Sequence, residues 1–413
     1  MAAMATEASD GEAAGPVAGL RVIEIAGGVP AAFCSRQLRG FGAETIRVER
    51  VTDGIETTGC RLTPDQEVFL VAGARRVEVT SSELAELVAG ADVIVEDQGP
   101  GFPASIGCEP PTGRQSGPDR IVTSISPLGH IGPRSHWQAT NAVQFAIGGL
   151  MTLTGEPHRP PLVTGGEQAL FLGGLHAFAA TTVAVANRWR HGQGAWLDLS
   201  MQEGAASMPE LYAASSEYDL REPVPRSGNS VRAVWGIYRC ADGFAGVCCL
   251  ERQVHTFFEL LGPPVLGDPR FADPLSRADN DDELLAHVMA FMIERTKDEL
   301  TALSPVHRIP IGAVRTPQEL LDDEAYAQRG FFDRVESPAG TAIVPGRPFP
   351  GLGWRPVGPL GPVEDGPVRW HSAGLEPVTD PTGTDPTGTG DGPTGTPRRP
   401  LAGIRILDLT MMW

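Results

Sequence analysis

The sequence has no unbroken run of eighteen or more apolar residues, which argues against a membrane span. Its N-terminal stretch, MAAMATEASDGEAAGPVAG, lacks the positive and apolar regions of a secretory signal. An excess of cations is missing too. The formal net charge is −18, whereas nucleic acid and anionic membrane surfaces both need clustered Lys and Arg. The same charge disfavours a polyanionic ligand unless local arginines offset the field, and solubility accounts for it as well. No G-x-G-x-x-G fingerprint and no P-loop occur, which argues against nucleotide binding by those routes. The six cysteines (Cys34, Cys60, Cys108, Cys240, Cys248 and Cys249) show no metal-ligand or redox spacing. They are expected to be buried or idle thiols of a reducing cytosol, with no metal site.

At 413 residues, 41% of them hydrophobic, the chain can bury a sizeable core and is expected to form two domains. Residues 1–17 read as a disordered leader. Arg21 to Ile25 (RVIEI) suits a buried strand, Ala26-Gly27-Gly28 turns the chain, and Pro30 opens a helix through about Leu38. Further strands are expected at Glu44 to Val48, Asp92 to Val95 and Arg120 to Ser126, with a helix over Ser82 to Val88. A long apolar helix then leads through a Gly-Gln-Gly turn to a strand over Gly194 to Ser200. Strands alternating with helices predict an α/β fold with a parallel, doubly wound sheet. Ligands of such sheets lie outside the carboxyl ends of the strands. That rim comprises Ala26 to Val29, the loop after Arg50, Asp97 to Gly101, and Pro127 to Pro133. The Ala26-Gly27-Gly28 turn can offer backbone N–H groups to a phosphate, or serve as a plain strand–helix turn.

From about Val231 the pattern changes. Val234 to Arg239, a turn at Ala241-Asp242-Gly243, and Phe244 to Leu250 predict a hairpin. Helices follow near Gln253 to Leu261, Asp282 to Arg295 and Pro317 to Asp323, and residues 336–356 read as short extended pieces. Residues 376–400 form a Pro/Thr/Gly linker in which PTGT recurs at 381–384, 386–389 and 393–396, a composition that cannot bury a core. Beyond it, Ala402 to Leu409 (AGIRILDL) repeats the pattern of Ala18 to Ile25 (AGLRVIEI). Residues 401–413 are therefore expected to be the first strand of a second, incomplete copy.

Several stretches in order resemble the family III CoA-transferases, the group of formyl-CoA transferase, CaiB/BaiF and acyl-CoA racemase. GLRVIEIAGGVPAAFCSRQLRGFGAETIRVER is similar to the family's opening, ADVIVEDQGPG to its third-strand loop and SISPLGHIGP to its fourth-strand exit. GGLMTLTGEPHRPPL resembles the central turn and RHGQGAWLDLSMQE the closing strand. DPRF at 268–271, Arg277, Asn280 and QRGFF fit a small domain. The resemblance spans roughly residues 18–335. It implies a Rossmann-like large domain over 18–225, a smaller α+β domain over 226–335, a return segment over 336–375, and a dimer of interlocked ring-shaped subunits. It also implies coenzyme A or acyl-CoA as substrate together with a carboxylic acid; the cysteine usage and the N-terminal stretch lead to the expectation of a cytoplasmic location.

The family's chemistry begins when an aspartate attacks the acyl-CoA thioester to give a mixed anhydride. Counting from the shared Pro-Pro-Leu and Gly165 puts that aspartate at Leu170, which cannot act as a nucleophile. Glu167, one helical turn earlier, is the candidate substitute, either as nucleophile or as acid/base of a racemase, or else a helix N-terminal acid favouring the dipole. The racemase histidine falls near Thr140 and Asn141, with His136 displaced by four residues. The resemblance puts coenzyme contacts at Ala26, Gly27, Arg50, Arg75, Arg76, Asp97, Gly99 and Gly101. Gly99 stands where an arginine is often found. Three functions follow from the resemblance: a nucleophile-lacking half that pairs with a catalytic half (a homodimer being the alternative assembly), a transferase or racemase using Glu167, and a non-catalytic structural or regulatory subunit.

Overall fold

The computed structural model describes residues 15–25, 27–109, 120–209, 226, 228, 230–347, 353–366, 368–372, 401 and 404. Ala26, the Pro/Thr/Gly linker, most of the leader and nearly all of the repeat at 401–413 lie outside the described residues. The chain divides into two compact units. One comprises Met1–Leu150, Thr164–Glu210 and Glu324–Ile406, and the other Met151–Val163, Leu211–Asp323 and Leu407–Trp413.

The first unit is built on a seven-stranded sheet. Its first six strands are β1 (Arg21–Ile25), β2 (Glu44–Val51), β3 (Arg75–Val79), β4 (Val93–Glu96), β5 (Ile121–Ser126) and β6 (Ala195–Ser200). Every pairing in it is parallel, in the order β3-β2-β1-β4-β5-β6, and Val363–Asp365 adds a strand beyond β3. The expected alternation of strand and helix is therefore present. The order of strands reverses between β1 and β4, and in open parallel sheets the crevice at that switch is where ligands bind.

Among the described residues the helices of this part of the chain include α1 (Val29–Gly40), α2 (Pro64–Leu70), α3 (Ser81–Gly90), α4 (Phe102–Ser105), α5 (Asn141–Ile147), α6 (Leu150–Leu153, which falls at the boundary between the two units), α7 (Gln168–His191) and α8 (Met201–Ala206). Strand side chains alternate between the two faces. Val22, Val93, Val95, Ile121 and Ile125 pack with Ala31, Cys34 and Leu38 of α1 and Ala177, Ala184 and Val185 of α7. Ile23, Ile25, Ile46, Val48 and Val122 pack on the other face with Leu84, Leu87 and Val88 of α3. Both faces are thus covered, as parallel sheets require. Local signals agree with these bounds. Pro30 lies in the first turn of α1, and Thr80 with Glu83 forms a capping box on α3.

Two adjacent glycines let the 24-residue helix α7 approach its neighbours closely, Gly174 against α1 and Gly173 against α8. A Cβ on Gly174 would lie 2.7 Å from the Pro30 carbonyl oxygen, and one on Gly173 would lie 2.8 Å from Met201 Cγ. By length and composition alone α7 is long and apolar enough to cross a bilayer. A search for unbroken apolar runs passes over it because His176 and three threonine or asparagine positions interrupt the run. In this unit it packs against α1, α8, β5 and β6.

The second unit contains a four-stranded antiparallel sheet in the order β10-β9-β8-β7, formed by β7 (Ser230–Arg232), β8 (Trp235–Cys240), β9 (Gly243–Cys248) and β10 (Ile311–Ala313). Helices Glu251–Leu261, Asp281–Ile293 and Lys297–His307 accompany it. Tyr238, Val247, Phe257, Phe271, Leu284, Val288 and Leu300 form its core. The hairpin expected from the sequence is present, with Ala241 and Asp242 as its two-residue turn. The helix Lys297–His307 was not expected. It contains Pro305, which falls near the helix end, and a Thr296–Glu299 capping box secures its start. All six cysteines are free thiols, and Cys60 alone among them is exposed.

Candidate active site

At the switch point, the loops leaving β1 and β4 are joined through Asp97. Its buried carboxylate accepts the Gly28 N–H with both oxygens, at 3.1 and 2.9 Å. Gly28 is the N-cap of α1, so this acid occupies the positive end of that helix. The Arg61 guanidinium lies 3.1 Å from Asp97 Oδ1, and the Arg61 N–H donates to the Gly27 carbonyl at 2.9 Å. Gly27 has no room for a side chain, because an added Cβ would overlap Asp97 Oδ1. Burial pushes the Asp97 carboxyl above its usual value, with Arg61 and the Gly28 N–H opposing that shift.

Beyond Asp97 the backbone turns through Gly99 and Gly101, at φ +104° and +93°. Those left-handed conformations favour glycine, and among the described residues nothing lies near either missing side chain. A cavity of about 530 Å³ opens here, lined by Ile55, Glu56, Thr57, Thr58, Gln98 and Phe102, among others. Gln98 Oε1 accepts the Thr58 N–H at 2.7 Å and its hydroxyl at 3.0 Å, tying the β2 loop to the β4 loop.

The three arginines assigned to the coenzyme all engage carboxylates. Arg50 pairs with Glu78 at 2.5 Å, and Arg75 approaches Glu44 at 3.6 Å while donating to the Arg369 carbonyl at 2.7 Å. Arg76 pairs with Glu49 at 2.6 Å and Glu67 at 3.1 Å. None of the three lines the cavity beside Gln98. Arg75 and Arg76, which the resemblance assigns to the coenzyme, begin β3, a strand not among those expected from the pattern.

At the start of α7, Leu170 is half-buried in the seam between two apolar clusters, among Val29, Leu70, Phe33 and Phe171. Glu167 is the N-cap residue, and Gln66 Nε2 donates to its carboxylate at 2.5 Å. Asn141 closes the turn, accepting the Ala169 N–H at 2.9 Å and donating to the Gly166 carbonyl at 3.3 Å. Thr140 caps α5, and His136 lies exposed in the preceding loop.

Sequence reasoning did not single out a polar chain at the ends of β4, β5 and β6. Glu96 and Ser124 are both fully buried, and the Ser124 hydroxyl donates to Glu96 Oε1. Ser124 Oγ also lies 2.6 Å from His130 Nε2. The other Glu96 oxygen accepts the Gln98 N–H at 2.7 Å, and the His130 N–H is shared by both Asp198 oxygens at 3.0 Å. Burial pushes the Glu96 carboxyl up to about 8 against those hydrogen bonds. Burial also lowers His130, with Asp198 pulling the other way. The available signal was Ser124 itself, since a hydroxyl in an otherwise apolar buried strand must find a partner. Among the described residues no cluster of three or more His, Cys, Asp or Glu side chains is arranged to hold a metal.

A doubly wound parallel sheet with a crevice at its switch point defines a large class of ligand-binding α/β proteins. Within that class, the description of CoA-transferase family III matches residues 17–356, and this chain belongs to that family. It is 28% identical to the succinyl-CoA–D-citramalate CoA-transferase of Chloroflexus aurantiacus, over 78% of this chain and 84% of that one. It is 27% identical to the acetyl-CoA:oxalate CoA-transferase of Acetobacter aceti, over 83% and 91% respectively. A CaiB/BaiF family protein from Brucella suis shares the fold with a TM-score of 0.69 and 24% identity, over 83% of this chain and 96% of that one.

Proposed function

We propose that this chain takes an acyl-CoA thioester at the carboxyl rim of its sheet and has no nucleophile of its own. It serves as one half of a CoA-transferase whose second half supplies the aspartate. The observation that carries this reading is Leu170, an apolar side chain packed in an apolar seam at the first turn of α7. In the family's reaction a carboxylate oxygen bonds to the thioester carbon as the carbon–sulfur bond breaks, and the thiolate then attacks the resulting anhydride. Leucine has no lone pair to offer. Relatives named for succinyl-CoA, citramalate, acetyl-CoA and oxalate support an acyl-CoA and a carboxylic acid as the substrate pair.

The assembly belongs to the same reading: a large domain over 18–225 with a return segment over 336–375, a small domain over 226–335, interlocked subunits, and a cytoplasmic setting. The AGIRILDL repeat of AGLRVIEI supports a tandem second copy as the partner half. Coenzyme contacts are assigned to Ala26, Gly27, Arg50, Arg75, Arg76, Asp97, Gly99 and Gly101. For the arginines, a phosphate would have to replace a carboxylate partner. The test is CoA exchange between succinyl-CoA and candidate acids with the purified chain alone. The expected result is calorimetric CoA binding without exchange; turnover with a hydroxylamine-sensitive enzyme adduct overturns the reading.

A second reading uses Glu167, favoured by its place one helical turn before Leu170 and by the Gln66 amide that fixes its carboxylate. It requires exchange by the chain alone that Glu167→Gln abolishes.

A further inference from the structure

We propose that His130 exchanges a proton with the sulfur of coenzyme A, and that Ser124 and Glu96 are the positioning residues that supply and retrieve it. This rests on the reading that an acyl-CoA occupies the rim of this sheet. The geometry is a continuous path of hydrogen bonds from a fully buried carboxyl through a fully buried hydroxyl to a half-buried imidazole. All three lie at or just past the carboxyl ends of β4 and β5. The imidazole also meets the Trp196 ring in a T-shaped contact with centroids 5.2 Å apart, and Asp198 accepts the His130 backbone N–H. Glu96 in turn is tied through the Gln98 N–H to a residue that lines the cavity.

A hydroxyl between a carboxyl and an imidazole transmits the state of one to the other. With Glu96 ionised, Ser124 donates to it and accepts from Nε2–H, leaving Nδ1 as a base. With Glu96 protonated, every hydrogen bond in the chain reverses: Ser124 donates to Nε2 and Nδ1 carries the proton. In thioester cleavage the carbon–sulfur bond breaks and its electron pair stays on sulfur. Sulfur takes the Nδ1 proton, Nε2 takes the Ser124 hydroxyl proton, Ser124 takes the Glu96 proton, and Glu96 is left as a carboxylate. The reverse sequence deprotonates an entering thiol. Of the reactants in the proposed reaction only the thiol changes protonation near neutrality, because acceptor acids are already ionised. A free thiol titrates above neutrality, and burial, with Asp97 adding to the shift, pushes the Glu96 carboxyl up to about 8, so both groups can hold a proton at neutral pH and pass it along this path. Glu96, Asp97 and Asp198 are the charged groups the neighbouring strands and their loops bring to this chain.

The test uses the full chain labelled with nitrogen-15 histidine and assigned through bonds. The expected result is a neutral His130 that moves from the Nδ1–H to the Nε2–H tautomer as Glu96 titrates. Ser124→Ala should abolish the change and Ser124→Thr retain it. A wild-type His130 that protonates like a solvated histidine, with no change of tautomer, overturns the proposal. Bound coenzyme A supplies the second arm, with its thiolate followed by ultraviolet absorbance. Ionisation is expected about one pH unit lower in the wild type than in His130→Gln. Calorimetric binding of coenzyme A with identical thiol titration in both proteins overturns this proposal alone. Absence of any binding overturns the acyl-CoA reading and this proposal together.

Discussion

Glu24 and Arg47 stand in register on the neighbouring parallel strands β1 and β2, and both side chains are fully buried. Burial raises the Glu24 carboxyl above its usual value while Arg47 opposes the shift, and Glu24 Oε2 has no hydrogen-bond partner among the described residues. From Arg47 the charges continue to alternate through Glu49, Arg76 and Glu67. Removing one member leaves its partner charged in the core, which typically costs about 3–5 kcal/mol. Arg47→Met is therefore expected to lower unfolding stability by about that much. Glu24→Leu combined with Arg47→Met should recover most of the loss. Urea denaturation of the single and double variants checks this, and additive losses would refute it.

The Glu96 carboxyl gives a pH dependence whose sign is fixed. Its folded value of about 8 lies above the ordinary 4.5, so between these values the native state binds more protons than the unfolded chain. Its contribution to stability is fully present below the ordinary value and is lost as pH rises towards 8. The difference amounts to a few kcal/mol. Glu96→Gln should flatten the fall in stability between pH 5 and 8, as read by denaturant midpoints at a series of pH values.

Gly27 is expected to be the least tolerant position on the rim. A methyl group there would occupy the place of the Asp97 carboxylate, which is buried and bonded to Gly28 and Arg61. Gly27→Ala should cost about 1–3 kcal/mol or more, as overpacking does. Gly59→Ala is a contrasting control, since nothing lies near its missing side chain although its φ is +67°. Thermal melts that rank Gly59→Ala as the more damaging change would count against this account of the contact.

Replacing Leu170 by aspartate tests the missing nucleophile directly. The change puts a carboxylate into an apolar seam, and a loss of about 2–4 kcal/mol is expected. Where the variant still folds, incubation with succinyl-CoA should give a hydroxylamine-sensitive adduct that mass spectrometry finds on residue 170. The unchanged chain should give none.

The sequence revealed the sheet more fully than the site. The strands RVIEI and RIVTSIS are short, apolar and bounded by glycine or loop residues, and they fold where that pattern puts them. RRVEV, which forms β3, is not among the expected strands, and the resemblance assigns its two arginines to the coenzyme; in the fold both reach carboxylates on neighbouring elements. The site is less legible because its contacts join distant segments. Asp97 meets Gly28 across 69 residues, and Gln66 meets Glu167 across 101. Such pairings follow from the strand order, which local patterns do not contain. Ser124 and His130 are only six residues apart, but Glu96 comes from a different strand, and without it they look like two unrelated polar residues.

Gly174 in α7 sets how closely the two ends of this region approach. Gly174 meets the Pro30 carbonyl and the Phe33 side chain with no side chain of its own between them, so α7 and α1 touch backbone to backbone where most helix pairs have a compressible layer. Pro30 lies two residues past the Gly28 N–H held by Asp97, and Leu170 lies one turn before Gly174. A methyl group at residue 174 would lie 2.7 Å from the Pro30 carbonyl oxygen, so the spacing of α7 from α1, and with it the separation of Leu170 from Asp97, depends on one side chain being absent.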